Sequence, residues 1–221
     1  MKDGIEIKNL SKSFVFRRFG LTSKKTIYED VNIFLEKGHI YGLIGKNGSG
    51  KSTFLKHISG VYREEDTQTK YTVAGLLTTH PGVIEALSIR YNFFLLCTLH
   101  RVDKPIHHLE KSLASFLDLY KLNGDDLLLV LSTGMRANLC ILVLLEKDAD
   151  LYLFDESSNG LDQEKIQIFK KALIELKTRN KILIIVMHDQ EFINEVSDSI
   201  LICENQSIKN ITKSSNTYFN S

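Results

Sequence analysis

Gly45-Lys46-Asn47-Gly48-Ser49-Gly50-Lys51-Ser52 fits the pattern G-x-x-x-x-G-K-[ST] at every fixed position. The residues before it, Ile40-Tyr41-Gly42-Leu43-Ile44, form a short apolar run of the kind a buried strand makes. Those after it, Thr53-Phe54-Leu55-Lys56-His57-Ile58, read as the opening of a helix. Strand, glycine-rich loop and helix together are the context in which this pattern cradles phosphate. Glycines let successive backbone N–H groups turn inward, and the helix adds its positive end. Lys51 can reach β- and γ-phosphates, and the Ser52 hydroxyl can ligate Mg²⁺. An ordinary glycine-rich turn is the competing reading, and the intact flanks argue against it.

Working outward, the 221 residues suffice for one large domain or two small ones. Basic and acidic residues nearly cancel, 28 against 27, so nothing global points to nucleic acid. Cys97, Cys140 and Cys203 are odd in number, widely spaced and set in apolar stretches. They read as buried, reduced thiols in a reducing compartment. We expect no leader before Ile5. The runs 139–145 and 182–187 are too short to span a bilayer. Any membrane span must then come from another chain.

Upstream, Ile5-Glu6-Ile7 alternates as a strand does, and Thr26 to Glu36 reads as another. Between them, Lys12, Arg17, Arg18, Lys24 and Lys25 interleave with Phe14, Phe16 and Phe19. Such a stretch can bind nucleic acid or lipid headgroups; a solvated hairpin with its aromatics facing the core is the reading we adopt. Downstream, Thr72 to Leu77 reads as a strand. From about Ser88 to Lys147, Leu109, Leu113, Phe116, Leu117 and Tyr120 recur at helical intervals, which predicts a helical insert. Most of its apolar side chains are expected to be plain core.

Leu151-Tyr152-Leu153-Phe154 is an apolar strand that ends in Asp155-Glu156. Alone, two acids after a strand make only a turn. Paired with the phosphate loop, they place Asp155 to hold Mg²⁺ through water and Glu156 to deprotonate the attacking water. Gln163 to Thr178 is the next helix, and Lys181 to Met187 the next buried strand. That strand delivers His188, which alone would be a packing or capping residue. At the carboxyl end of a parallel strand it becomes a candidate contact for a γ-phosphate. Ser199–Cys203 and Gln206–Ile211 read as final strands, and the tail Ser214–Ser221 as loosely ordered. Strands alternating with helices imply an α/β fold with a largely parallel sheet.

Leu131-Ser132-Thr133-Gly134-Met135 lies about twenty residues before Asp155 and precedes an apolar helix. It resembles the signature L-S-G-G-Q of ATP-binding-cassette (ABC) proteins, in the variant L-S-x-G-M. The motifs taken together, in this order, resemble that family from Ile5 to about Lys209. The resemblance implies a P-loop NTPase (RecA-like) core with a mainly parallel sheet, an N-terminal antiparallel β subdomain and an α-helical insert. It implies a single domain over 1–221, with a catalytic core of about 1–78 and 149–221 and a helical subdomain of about 79–148.

Residue by residue, the resemblance implies that Phe14 stacks on adenine. Gly45, Asn47, Gly48, Ser49, Gly50, Lys51, Ser52 and Thr53 would hold the phosphates. Ser52 and Asp155 would serve Mg²⁺, Glu156 would be the general base and His188 the switch histidine. Asp162, in Gly160-Leu161-Asp162, would cross to a second subunit. Ser132 and Gly134 would bind the γ-phosphate of ATP held by that subunit. The glutamine usual at the start of the insert is absent from Thr79-His80-Pro81. His80 is the candidate for that coupling position and Thr79 the second. Ser157 stands where a proline is usual.

The function implied is an ATPase subunit that dimerises around ATP and Mg²⁺, as a homodimer or a paired cassette. It would drive a separate permease from the cytoplasmic face of a membrane. The variant signature and the run Leu87-Ser88-Ile89-Arg90-Tyr91-Asn92 are similar to exporters of the ABC-2 kind. Two other readings are a cassette that remodels a soluble complex and a P-loop kinase. The second leaves Ser132, Gly134 and His188 without roles.

Overall fold

The structure is a computed structural model that describes residues 3–18, 21–62, 73–77, 83–155 and 163–212. Strands β1 (Gly4–Arg18) and β2 (Leu21–Glu36) pair as an antiparallel hairpin. In its first half the alternation is regular. Ile5, Ile7, Val31, Ile33 and Leu35 are buried while Glu6 and Lys8 face outward. Register shifts then occur between Ile7 and Ser13. Such irregularities bend a strand and re-aim its side chains. Past them, Val15 and Phe16 are more than half exposed and Phe14 is half-buried. The expectation that the aromatics face the core is therefore corrected for Phe16, and Phe19 lies outside the described residues.

The second sheet has six strands: β3 (Ile40–Ile44), β4 (Val73–Leu77), β5 (Leu151–Asp155), β6 (Ile182–Val186), β7 (Ser199–Glu204) and β8 (Ser207–Thr212). Their order is β4-β5-β6-β3-β7-β8. All pairs are parallel except β7 with β8. Every residue of β5 and β6 is buried, which is why both read as unbroken apolar runs. Alternation splits those runs between two layers. Leu151, Leu153, Ile182 and Ile184 pack toward the hairpin and α1 (Lys51–Ile58). Tyr152, Phe154, Leu183 and Ile185 pack with residues of the remaining helices. Each such aliphatic or aromatic side chain contributes about 1.5–3 kcal/mol by leaving water.

Those helices are α2 (Ile89–Leu99), α3 (Ile106–Tyr120), α4 (Thr133–Glu146), α5 (Gln163–Thr178) and α6 (Gln190–Val196). Helices α2 to α4 form the insert between β4 and β5, and α4 touches α2, α3 and α5. Three helices start with the same device. The Oγ of Ser88 accepts from the Tyr91 N–H at 3.2 Å, that of Ser132 from Met135 at 3.3 Å, and Asp189 Oδ1 from Phe192 at 2.9 Å. The helix α6 is additional to the sequence reading; Asp189 is the start signal that marks it.

Candidate nucleotide-binding site

The sheet order decides what can meet. Strand β6 lies between β3 and β5, so the phosphate loop and Asp155 leave the sheet about 10 Å apart, two strand spacings. Gly42 pairs with Ile185, and Asp155 with Val186. His188 follows Val186 by two residues, so it emerges between the other two at the same carboxyl edge. Open α/β sheets bind their ligands at this edge, where neighbouring connections diverge.

The loop is held from below by β7. Gly45 has φ +154°, and a Cβ there would stand 2.4 Å from the carbonyl oxygen of Cys203 and 2.8 Å from Ser49 Oγ. Gly50 has φ +111°, and its Cβ would meet Ile27 Cγ2 at 2.5 Å. Gly48 differs: φ is +78° and no atom lies within 4 Å of the added carbon. Lys51 Nζ donates to the carbonyls of Gly45 (2.7 Å) and Lys46 (3.1 Å), which lays the ammonium across the loop. The Cys203 thiol donates to the Ser49 carbonyl at 3.1 Å. Burial pushes that thiol's pKa up, against the pull of the Ser49 contact and the Lys51 charge. Gly50 caps α1 with no side-chain hydrogen bond, and the first turn holds no acid. The amides of that turn and the helix's positive end are thus available to an anion such as a phosphate.

The donors near this edge suit Mg²⁺. Ser52 opens α1 with a hydroxyl, and Asp155 is buried with 8% exposure at the end of β5. Both are hard oxygen donors. Mg²⁺ is usually bound by one or two such side chains together with water and phosphate oxygens.

The remaining candidates divide into three groups. His188 is exposed at its strand end, and its neighbour Asp189 is committed to capping α6. Ser132 and Gly134 open α4, on a different element from the loop. There Ser132 and Thr133 are exposed, Gly134 is buried, and the first turn again lacks an acid. Phe14 meets Tyr62 edge-to-face with ring centroids 5.9 Å apart, and Lys12 Nζ stands 4.8 Å from the Tyr62 ring. Thr79, His80, Glu156 and Asp162 lie outside the described residues.

Several residues escaped the sequence reading. Ile27 supports the loop and Tyr62 flanks Phe14, and the contacts of Cys203 with the loop and of Lys12 with Tyr62 carried no sequence signal. Asn92 is fully buried on α2. Its Oδ1 accepts from the Ile84 N–H, and its Nδ2 donates to the carbonyls of Ile84, Leu87 and Ser88, all within 2.8–3.2 Å. The one available signal was an amide side chain on an otherwise apolar helix face.

Comparison with known proteins agrees with this geometry. Residues 28–159 match the ABC transporter family, more than half of the chain. An uncharacterised ABC transporter ATP-binding protein, YthP of Bacillus subtilis, is 28% identical over 194 residues, covering 86% of this chain and 81% of its own. The lantibiotic transport ATP-binding protein SrtF of Streptococcus pyogenes is 28% identical over 89% of this chain and 85% of its own. Among solved structures, an ATP-binding subunit of an ABC transporter superposes with a TM-score of 0.77 at 24% identity, covering 96% of this chain and 90% of that one. The ATP-binding cassette MJ0796, in a dimeric post-hydrolysis state with ADP and Pi, gives 0.73 at 18%, covering 94% and 97%. At these identities the structures speak to the fold alone. No helix among the described residues is long and apolar enough to cross a membrane. With the family match and a phosphate loop at the carboxyl edge of its sheet, the chain belongs to the ABC transporter family, as an ATP-hydrolysing ATP-binding subunit.

Proposed function

We propose that two cassettes close around two ATP–Mg²⁺ and drive a separate membrane permease in the direction of export, from the cytoplasmic face. The observation that carries the dimer is the division of labour within one chain. The phosphate loop leaves β3, while Ser132 opens α4 in the insert with exposed residues and no acid in its first turn. A second anion-binding helix end, outside the loop that already serves one phosphate, calls for a nucleotide held by another copy.

In this reading residues 1–221 form a single unit, with a core of about 1–78 and 149–221 and a helical subdomain of about 79–148. Lys51 and the loop amides neutralise the developing charge on the phosphoryl group. Ser52 and Asp155 hold Mg²⁺, which supplies further charge neutralisation when bound. Glu156 takes the proton of the attacking water, worth about 10²–10⁴-fold. His188 contacts the γ-phosphate, Phe14 stacks on adenine, Asp162 reaches across the dimer, and His80, with Thr79 beside it, lies at the coupling position.

Export is supported by two relatives matched over most of their length. They are SrtF and the capsule polysaccharide export ATP-binding protein CtrD of Neisseria meningitidis, 26% identical over 90% of each chain. The methionine import protein MetN 2 of Paraburkholderia xenovorans is matched over 50% of its own length.

The test is the Glu156→Gln variant. It should lose phosphate release and, with ATP and Mg²⁺, elute as a dimer in size-exclusion chromatography with light scattering. A monomer under saturating ATP would overturn the dimer. Capture of a polytopic membrane protein from detergent extract is expected for the permease. For direction, inverted vesicles carrying that complex should accumulate cargo on addition of ATP; loss of preloaded cargo from them would overturn export.

A further inference from the structure

We infer that Arg136 and Glu85 are a positioning pair that sets the signature turn Leu131–Ser132 relative to the start of the helical insert. The inference rests on the proposed role of Ser132 at the partner's nucleotide.

Arg136 sits in the first turn of α4 and reaches two ways. Its Nε donates to the carbonyl of Leu131 at 3.0 Å, and its Nη1 pairs with Glu85 Oε1. The first contact closes the turn that carries Ser132. The second crosses 51 residues of sequence to the segment that follows Thr79 and His80. Arg136 is largely buried, with its side chain 24% exposed, while that of Glu85 is 62% exposed. The guanidinium is thus fixed, and the acid reports on where its own segment lies.

Backbone contacts reinforce the same junction. Leu128 N–H donates to Leu87 O at 2.9 Å and Leu129 N–H to Glu85 O at 3.3 Å. Ile89 and Arg90 donate to Asp126 O and Gly124 O, each at 2.9 Å. Ser88 and Leu127 form an antiparallel bridge. Asn92 locks the loop 84–88 from the inside with four hydrogen bonds. Segment 84–90 therefore moves with 124–131 as one body. Arg136 joins this body to α4 itself by a hydrogen bond and an ion pair, beside the apolar packing of α2 on α4. A planar, always charged fork suits this task, because it holds two acceptors in fixed directions.

A displacement at the start of the insert then reaches Ser132 without loosening the phosphate loop of the same chain. Breaking the pair should weaken assembly around ATP while leaving the affinity of a single chain for nucleotide intact. That split separates positioning from a merely structural role.

The experiment compares four variants: Glu85→Ala, Arg136→Ala, the exchanged pair Glu85→Arg with Arg136→Glu, and Ser132→Asp as a control. Aspartate keeps the helix cap but sets a negative charge against the partner's phosphate. Binding of a fluorescent ATP analogue is read at dilutions where the chain is monomeric. Dimerisation is read in the Glu156→Gln background, and the Hill coefficient in the parent background. Glu85→Ala should need about three- to five-fold more ATP to dimerise and should lower the Hill coefficient, the scale a half-exposed ion pair supports. Analogue binding should stay unchanged, and the exchanged pair should recover part of the loss.

Normal dimerisation in Glu85→Ala and Arg136→Ala, with Ser132→Asp defective, overturns the pair and leaves the signature reading intact. Normal dimerisation in all of them overturns both. Equal loss of analogue binding and dimerisation in Glu85→Ala also overturns it, because the pair would then be supporting the fold as a whole.

Discussion

The thiol of Cys203 donates to the carbonyl oxygen of Ser49 at 3.1 Å, and the carbonyl of Cys203 lies against Gly45. One residue of β7 thus holds both ends of the phosphate loop. Its sulfur is buried and its pKa is raised, so it acts as a neutral donor and not as a nucleophile. Cys203→Ala should loosen the loop. The expected result is a three- to ten-fold weaker ATP affinity, roughly the 0.5–1.5 kcal/mol of one hydrogen bond. Cys203→Ser keeps a donor and should fall between. Titration with a fluorescent nucleotide checks the order, and parental affinity in Cys203→Ala would remove β7 from the loop's support.

Glycines in the loop differ in what they are for, and substitution should separate them. Gly48→Ala meets no neighbour and suffers only the strain of φ +78°, about 1–2 kcal/mol. Gly50→Ala adds a clash with Ile27 Cγ2 at 2.5 Å to its own strain at φ +111°. Gly48→Ala should therefore retain measurable nucleotide binding and Gly50→Ala should lose it. Adding Ile27→Ala to Gly50→Ala should recover the steric part alone. Equal defects at both positions would show that space around the loop does not matter.

Much of this architecture was legible because it is local. The phosphate loop declared itself by residue type and spacing. Strands β5 and β6 did so because a strand buried on both faces leaves an unbroken apolar run. Helix Gln163–Thr178 appeared with the bounds read from its sequence. What stayed hidden depends on distance across the chain. No periodicity says that β6 is inserted between β3 and β5, yet that insertion brings His188 between the loop and Asp155. Phe16 looked like core until register shifts turned its half of the hairpin outward. Arg136 drew no role from the motif beside it, because its partner Glu85 lies 51 residues upstream. Phe14 was singled out by its motif and Lys12 by the interleaving of basic and aromatic residues, while Tyr62 beside them carries no pattern of its own.

Asn92 offers a test of how firmly the start of the insert is fixed. It is fully buried and its amide satisfies four backbone partners. Asn92→Leu removes all four bonds: the Ile84 N–H loses its acceptor, and the carbonyls of Ile84, Leu87 and Ser88 keep only their backbone donors, Leu87, Leu128 and Asn92 N–H, a net loss of about 0.5–1.5 kcal/mol per hydrogen bond. We expect a loss of at least 2 kcal/mol in urea unfolding. Hydrogen exchange should speed up at Ile84 more than at Leu183 in the central sheet. A uniform increase at both would mean that Asn92 supports the whole fold and not this junction.

Two of the buried thiols, Cys97 and Cys140, add to the loss of stability in alkali. Burial pushes Cys140 up to about 12, and burial followed by the negative charge of Glu146 pushes Cys97 up to about 12. An unfolded thiol titrates near 8.5. The folded chain therefore keeps protons that the unfolded chain loses. Stability from these groups is complete below about pH 8.5 and is lost as pH rises toward about 12. Each thiol should contribute a slope of up to about 1.4 kcal/mol per pH unit in that window. Urea midpoints between pH 7.5 and 10 should fall in the parent. The fall should be shallower in the double variant Cys97→Ala/Cys140→Ala, whatever its starting stability. Because the comparison is between slopes, a cavity left by the missing sulfurs shifts both ends equally. Parallel slopes in the two proteins would mean that these sulfurs ionise within the fold as freely as outside it.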